Sequence, residues 1–540
     1  MSGKWEFWID RGGTFTDVVG RAPDGRLQVG KLLSDDPSYG DAATEGIRRM
    51  LGLAPGEAVP EGAIGAVKMG TTVATNALLE RKGARVLLLT NRGLEDLLRI
   101  GFQTRPKLFD LAVELPELLH ERVAGVPGRL DATGREIEPL DEDAVRAALE
   151  AARADGIGAV AVAFLHAWLE PAHEARAAAI ARGMGFAQVS ASYETSRLIR
   201  LVPRGDTTVA DAYLSPVLRD YVGRVRDALG AGADRLMFMR SSGGLTDARM
   251  FEGRDAILSG PAGGIVGMAR TGAEAGTERI IGFDMGGTST DVSHHAGTFE
   301  RTTETQVAGV RLCAPMMDIH TVAAGGGSIL SFRDGRYLVG PESAGADPGP
   351  ACYRRGGPLT VTDANVMLGR IDAAHFPAVF GPGGDHPLDA DVVRTAFARM
   401  AEGIGAETGE TPAPEAVAEG FLAVAVDNMA RAIRRIGTER GHDLTRYTLA
   451  SFGGAGGQHA CRVADALGME RVMIHPLAGV LSAYGMGLAE LRALRERQVD
   501  LPLDEADTGA LVAELEEAAR AELAAQGVAE AEVIRTARLR

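Results

Sequence analysis

Cysteine is scarce: Cys313, Cys352 and Cys461 are the three in 540 residues. None lies close to another in sequence, which argues against a disulfide framework and against a cysteine-rich zinc site. Long apolar runs are missing too. No stretch is long enough to span a bilayer, and the N-terminus has no signal-peptide pattern, so a cytoplasmic location without membrane contact is the expectation. Excess positive charge is also lacking. The formal net charge is −16, which speaks against a nucleic-acid or anionic-membrane partner. Glycine, by contrast, is abundant at 70 residues, about 13% against a usual ~7%. The glycines cluster at a few motifs, which points to close approach of backbone to a ligand rather than to disorder. A hydrophobic content of 45% supports large cores, and the length suggests two to four domains.

One ten-residue phrase occurs twice. Residues 10 to 19 read Asp10-Arg11-Gly12-Gly13-Thr14-Phe15-Thr16-Asp17-Val18-Val19, and residues 284 to 293 read Asp284-Met285-Gly286-Gly287-Thr288-Ser289-Thr290-Asp291-Val292-Ser293. Each copy follows one β-like run and ends in another, so each predicts a hairpin with an acid at its mouth and Gly-Gly-Thr at its turn. Such a turn points backbone N–H groups inward and makes a nest for phosphate oxygens. Gly12, Gly13, Thr14 and Thr16, with Gly286, Gly287, Thr288 and Thr290, are the expected phosphate contacts. Asp10 and Asp284 are the expected catalytic acids and ligands of Mg²⁺, a hard ion that takes carboxylates and water. Asp17 and Asp291 either touch the metal or fix the loop from behind. A repeat at this scale implies two related domains facing each other, with the two loops clamping one polyphosphate.

A third strand is expected at 27–33, helices at 39–51 and 73–82 with Gly83 as the C′ residue of the second, and strands at 66–69, 85–90, 159–164 and 235–239. The second half predicts the repeated hairpin at 280–293, loops with short strands over 323–357, a long helix over 413–440, and a strand at 447–452. Gly453-Gly454-Ala455-Gly456-Gly457 then opens a further helix. Alone this loop reads either as a packing turn or as a ligand contact, since a helix N-terminus favours anions and polar groups. Beside two phosphate hairpins it completes a nucleotide site, with Gly453, Gly454, Gly456 and Gly457 seating adenosine. A final amphipathic helix is expected at 508–526, and 532–540 as extended chain with no domain-closing feature, which suggests truncation.

Other residues carry two readings each. Thr71, Thr72 and Asn76 at a helix start are either an ordinary N-cap or a substrate or phosphate contact. Asp318 and His320, at i and i+2 on one strand face, suit either metal binding or acid–base work, or a hydrogen-bonded structural pair. His459 follows the glycine loop and either touches ligand or packs. Cys352 has no local base and reads as a packing residue. His294-His295 lacks further metal-ligand spacing and reads as solvated.

Two phosphate hairpins with a late adenosine loop resemble the actin, Hsp70 and sugar-kinase superfamily. The fold implied is α/β, with two actin-like (RNase H-like) ATPase domains related by duplication, over 1–204 and 205–492, and a partial C-terminal region over 493–540. The strings 9–18, 69–83 (Met69-Gly70-Thr71-Thr72-Val73 onward) and 451–460 (Ser451-Phe452-Gly453-Gly454-Ala455-Gly456-Gly457-Gln458-His459-Ala460) resemble the hydantoinase A/5-oxoprolinase family. Lys31-Leu32-Leu33-Ser34-Asp35-Asp36-Pro37, Val202-Pro203-Arg204-Gly205, 340–346 and 348–353 resemble its ATP-hydrolysing 5-oxoprolinase branch. The resemblance implies ATP with Mg²⁺, K⁺ as a further ion, a small lactam substrate such as 5-oxo-L-proline, a hydantoinase B-like half or subunit as partner, and an oligomer. Rival readings are a hydantoin or N-methylhydantoin hydrolase subunit, an ATP-dependent carboxylase subunit, a sugar kinase, and an actin- or Hsp70-like ATP switch without small-molecule chemistry.

Overall fold

The computed structural model describes every residue except 1–2, 55, 104–108, 110, 113–114, 116, 377, 503–504 and 538–540. The end of the expected extended segment, 538–540, therefore lies outside the described residues. The chain forms two compact units, one from 1–262, 301–317 and 489–540, the other from 263–300 and 318–488. Among the described residues no helix is long and apolar enough to cross a membrane.

The first unit opens with an antiparallel meander, β1 (Trp5–Arg11), β2 (Phe15–Arg21) and β3 (Leu27–Leu33). Phe7, Ile9, Val18 and Val19 are fully buried, so apolar side chains on both faces of this hairpin find cover. Helix α1 (Ala42–Leu51) begins later than residue 39 because the Asp41 carboxylate accepts the Thr44 N–H and caps it there. β4 (Ile64–Thr71) lies parallel to β1 and turns into α2 (Val73–Leu79). This helix ends before residue 82, and Gly83 is not its C′ residue. Arg81 takes the left-handed conformation at φ 55°. Gly83 is needed for a different reason: a Cβ there would lie 2.1 Å from the Tyr213 ring.

A four-stranded parallel sheet follows, ordered β8-β7-β5-β6 from β5 (Val86–Asn91), β6 (Arg122–Val126), β7 (Ala159–Val162) and β8 (Gln188–Ala191), with α3 (Glu142–Ala154) and α4 (Ala172–Gly183) packed on it. The long helix α5 (Leu201–Leu229) carries fully buried Arg204 in its first turn. Arg204 donates to Ser192 Oγ and to the Phe164 and Leu198 carbonyls. Glu174, also fully buried, accepts from the Ser192 hydroxyl and the Phe164 and Tyr193 N–H groups. β9 (Leu236–Met239) then returns to lie parallel to β4, with β10 (Leu245–Asp247) at the edge.

Helix α6 (Ser259–Glu274) leads from the first unit into the second. There β11 (Arg279–Met285), β12 (Thr290–Ala296) and β13 (Ile319–Val322) form a second meander. A hairpin of β14 (Ser328–Arg333) and β15 (Arg336–Ser343) occupies part of the stretch expected as loops with short strands. Helices α7 (Val361–Met367), α8 (Ala390–Thr408) and α9 (Pro414–Arg440) bury Val393, Phe397, Phe421 and Ile433 against this unit's core. β16 (Thr448–Phe452) runs parallel to β11, and after α10 (Ala460–Leu467) β17 (Arg471–Met473) pairs parallel to β16. Late in the chain α11 (Thr508–Ala525) rejoins the first unit, where Glu522 pairs with Arg240 and Gln526 Oε1 accepts the Asp247 N–H.

The two main sheets share one plan. The first contains β3-β2-β1-β4-β9 and the second is β13-β12-β11-β16-β17, each a three-stranded meander followed by two parallel strands. The sequence repeat is therefore a repeat of topology, and both copies of the phrase occupy the same central hairpin.

Candidate nucleotide site

Both hairpins close with the same hydrogen bond. Gly12 N–H donates to the Phe15 carbonyl at 3.0 Å, and Gly286 N–H to the Ser289 carbonyl at 3.0 Å. The turn tips, Gly13-Thr14 and Gly287-Thr288, are exposed. A Cβ at Gly287 would meet nothing within 4 Å, and one at Gly13 would meet only Asn76 Nδ2 at 4.0 Å. Ligand oxygens can thus approach the tip backbone closely, as a phosphate nest requires. Register sets the acids opposite each other, Asp10 against Asp17 and Asp284 against Asp291.

In the first unit, Asp10 Oδ1 is buried without a hydrogen-bond partner. Gly260 makes room for it: a Cβ there would lie 2.9 Å from that oxygen. Burial, and then the neighbouring Asp17 charge, push the Asp10 carboxyl up to about 7 against a weaker opposite pull from Lys31. Lys31 on β3 ion-pairs with Asp17, whose own carboxyl is raised by burial. Thr16, expected as a phosphate donor, is fully buried with its hydroxyl 3.0 Å from Ser34 Oγ, and Ser34 in turn donates to the Gly12 carbonyl at 2.6 Å. That chain of hydroxyls braces the turn and leaves Thr14 as the exposed donor. Thr72 donates through both N–H and Oγ1 to the Arg11 carbonyl. Thr71 is buried, its N–H and carbonyl both tied to Ser259 Oγ. Asn76 is left nearest the tip.

In the second unit the same roles are filled differently. Thr290 is buried and donates to the Ala324 carbonyl at 2.5 Å, so Thr288 is its exposed counterpart. Asp291 accepts from Thr321 Oγ1 at 2.6 Å, and burial raises its carboxyl. The loop Gly325-Gly326-Gly327 lies directly against the hairpin turn. Gly326 and Gly327 N–H groups donate to the Gly286 and Gly287 carbonyls, and a Cβ on Gly325 would stand 2.6 Å from the Gly287 carbonyl oxygen. Gly453, at φ +82°, approaches Asp284 so closely that a Cβ would lie 2.4 Å from Asp284 Oδ1. The Ala455 N–H donates to the Met285 carbonyl, while Gly454 and Gly457 border open space. The glycine loop and the second hairpin therefore form one site within this unit.

His459 is buried behind that loop, with Nε2 3.2 Å from Asn365 Nδ2, and burial lowers its imidazole to about 4, so it is neutral. Asn365 also donates to Gln458 Oε1, holding the loop's far end. Asp318 ion-pairs with Arg440, and His320 registers opposite Val292. Cys352 is fully buried, its thiol raised by burial and by Asp363, which suits the packing role. His294, expected to be solvated, is instead 4% exposed. The sequence reading gave no role to Lys31, Ser34, Asn365 or the Gly325–Gly327 support. Lys31 and Ser34 stood in a readable string, but strand pairing alone brings them to the hairpin.

The arrangement offers hard carboxylate oxygens, exposed backbone N–H groups and threonine hydroxyls, a set suited to a polyphosphate and its divalent cation. The family described as Hydantoinase/oxoprolinase N-terminal region matches residues 6–185, and that described as Hydantoinase/oxoprolinase matches 204–495. The chain is 45% identical over 531 residues to 5-oxoprolinase 1 of Arabidopsis thaliana, covering 91% of this chain and 42% of that protein. It is 42% identical to 5-oxoprolinase of Saccharomyces cerevisiae, covering 94% and 43%. It is 34% identical to caprolactamase subunit alpha of Pseudomonas jessenii, covering 93% and 73%. Among solved structures, ATP-dependent caprolactamase from Pseudomonas jessenii superposes with a TM-score of 0.82 at 32% identity, over 96% of this chain and 76% of that one. Nucleotide-free acetone carboxylase gives 0.74 at 25% identity, over 98% and 78%. The chain spans less than half the length of the 5-oxoprolinases it matches. On the family matches and on the caprolactamase subunit it covers by more than two thirds, this α/β chain belongs to the hydantoinase/oxoprolinase family.

Proposed function

We propose that this chain binds ATP with a divalent ion through actin-like phosphate hairpins and phosphorylates the amide oxygen of a small lactam, 5-oxo-L-proline first among them. The observation that carries the reading is the twice-built hairpin, with Asp10 and Asp284 at equivalent positions in equivalent sheets. The choice of lactam rests on the 5-oxoprolinases among the relatives. An amide is a poor electrophile because nitrogen donates into the carbonyl. Transfer of the γ-phosphoryl to the amide oxygen, with ADP leaving, gives a phosphorylated imidate. Water adds to its carbon, the ring C–N bond breaks as the departing nitrogen takes up a proton, and the resulting acyl phosphate is hydrolysed by a second water to glutamate and phosphate.

The residues present fit a divalent ion. The unpartnered buried oxygen of Asp10 is an acceptor that folding leaves without a donor. Mg²⁺ bound there would neutralise phosphate charge, with K⁺ as a further ion. The protein's share of the phosphoryl transfer is positioning and charge neutralisation. In this reading the tip N–H groups with Thr14 and Thr288 hold phosphate oxygens, the loop Gly453–Gly457 seats adenosine, and Asn76, beside the Gly13 tip, is the lactam contact. Hydrolysis of the imidate is assigned to a hydantoinase B-like half or subunit, because the chain covers under half of the 5-oxoprolinases it matches. A second reading, a larger lactam, is favoured by the caprolactamase superposition.

The test is ADP release by the purified chain with Mg-ATP, with and without 5-oxoproline, caprolactam or hydantoin, alongside a glutamate assay and with and without a hydantoinase B-like partner. Lactam-dependent ADP is the expected result, with glutamate appearing when the partner is added. ADP release that ignores every lactam, with and without the partner, would sink the reading in favour of an ATP switch.

A further inference from the structure

We propose that His294, Glu300 and His442 form a binding site for one divalent transition-metal ion of the zinc class, distinct from the nucleotide's own ion. One ligand atom from each of the three lies within 4.8 Å of the others. The site is built inside the second unit from elements far apart in sequence: His294 from β12, Glu300 from the chain just beyond it, and His442 from the turn that follows α9.

The atoms divide cleanly between ligand and support. His294 Nε2 lies 2.8 Å from the Tyr447 hydroxyl, and its Nδ1 lies 2.6 Å from Glu300 Oε1. With an ion in place of the proton between Nδ1 and Glu300 Oε1, Nε2–H donates to the Tyr447 hydroxyl and Nδ1 presents its lone pair, the arrangement found around metal-bound histidines. Glu300 is split in the same way, with Oε1 facing the imidazoles and Oε2 paired with Arg440. Arg440 also holds Asp318, whose N–H donates to the Glu300 carbonyl. Arg279, at the exposed end of β11, is the remaining charge acting on His442. His442 Nε2 stands 4.0 Å from Glu300 Oε1, too far for a hydrogen bond. Ligands on one tetrahedral zinc stand about 3.3 Å apart, so separations of 2.6 and 4.0 Å bracket what an ion needs.

One rearrangement is required. The two imidazoles stack, 4.2 Å between centroids at 8°, and an ion must lie close to the plane of each ring it binds. His442 follows Gly441 and its side chain is 30% exposed, so it has room to turn. His294, being buried, stays. Two imidazoles and one carboxylate suit zinc or cobalt better than magnesium. The site is also separate from the phosphate hairpin. His294 lies three residues along β12 from Asp291, about 10 Å at strand spacing. Glu300 and Asp318 are the residues at which the chain leaves and re-enters this unit, so an ion here would pin both crossings to the end of α9.

The test uses the full chain, freed of metal by a chelator and titrated with Zn²⁺ by calorimetry and with Co²⁺ by visible absorption. One ion per chain should bind at this site. His442→Ala should weaken it at least tenfold and Tyr447→Phe about tenfold, while His375→Ala, at an exposed histidine elsewhere, should change nothing. ATP binding by His442→Ala reports that the variant is folded. Absence of saturable binding below about 1 mM would overturn the proposal, as would wild-type affinity in both His442→Ala and Glu300→Gln.

Discussion

Replacing Asp10 by Asn should stabilise the ligand-free protein at pH 8 while abolishing its ATP-dependent chemistry. Burial raises this carboxyl from 3.8 to about 7, so its ionised form is disfavoured in the folded chain. The sign follows from linkage. Below the unfolded pKa both states are protonated and no penalty exists. As pH rises from about 4, the unfolded state ionises first, and stability falls until the folded carboxyl also ionises near 7. Three pKa units correspond to about 4 kcal/mol, an upper bound because Asp10 as a whole is only partly buried. Asn carries no such penalty. Thermal unfolding of both proteins should therefore coincide near pH 4, diverge up to about pH 7 and keep a constant separation from there to pH 8, with Asn the more stable. Mg-ATP should stabilise the wild type at pH 8 and leave Asp10→Asn unmoved, and lactam-dependent ADP release should fall at least about 100-fold. A variant less stable than wild type at both ends of the range would refute the reasoning, because Asp10 would then be held by favourable contacts rather than strained by burial.

Gly453→Ala places a methyl 2.4 Å from Asp284 Oδ1 at a φ of +82°. A left-handed alanine costs about 1–2 kcal/mol, and the displaced carboxylate should weaken ATP binding at least about tenfold in a calorimetric titration. Arg204→Met removes the positive charge that favours the buried Glu174 carboxylate and leaves the Phe164 and Leu198 carbonyls without that donor, and a loss of roughly 3–5 kcal/mol in denaturant unfolding is expected. Cys461 is exposed while Cys313 and Cys352 are buried, with both buried thiols raised by desolvation. A chromogenic thiol reagent should therefore titrate one thiol per native chain and three after denaturation.

Much of the fold was legible because it was written twice. The Asp-x-Gly-Gly-Thr phrases located two hairpins, and the β-like runs on either side of each phrase located their strands. What stayed hidden was set by distant pairing. Thr16 and Thr290 looked identical to Thr14 and Thr288 as hydroxyl donors. Thr14 and Thr288 stay in the exposed turns, whereas Thr16 and Thr290 stand in β2 and β12 and face inward, where Ser34 and the Ala324 carbonyl take them up. Gly83 looked like a helix terminator, yet its requirement comes from a tyrosine 130 positions later. His294 had no spacing that announces a ligand, because Glu300 and His442 reach it through the fold rather than through a motif. The return of 301–317 to the first unit left no mark in the repeat, since it lies outside both copies.

The interleaving of the two units bears on how the chain comes to be folded during synthesis. The first unit waits for residues that emerge after the second is complete. Leu245 at the sheet edge donates to the Glu490 carbonyl and accepts from Arg492 N–H, and Asp247 is held by Gln526. Between residue 262 and residue 489 the ribosome must translate the second unit, which at about 5–20 residues per second takes roughly 10–45 s. For that interval β10 stands as an open edge, the kind of strand most apt to pair with another chain. The second unit, by contrast, has all its strands in hand once β17 has been made. A nascent chain of this protein should therefore carry a finished second unit beside a first unit still exposed along one edge, and its greatest exposure to misassembly falls in that window.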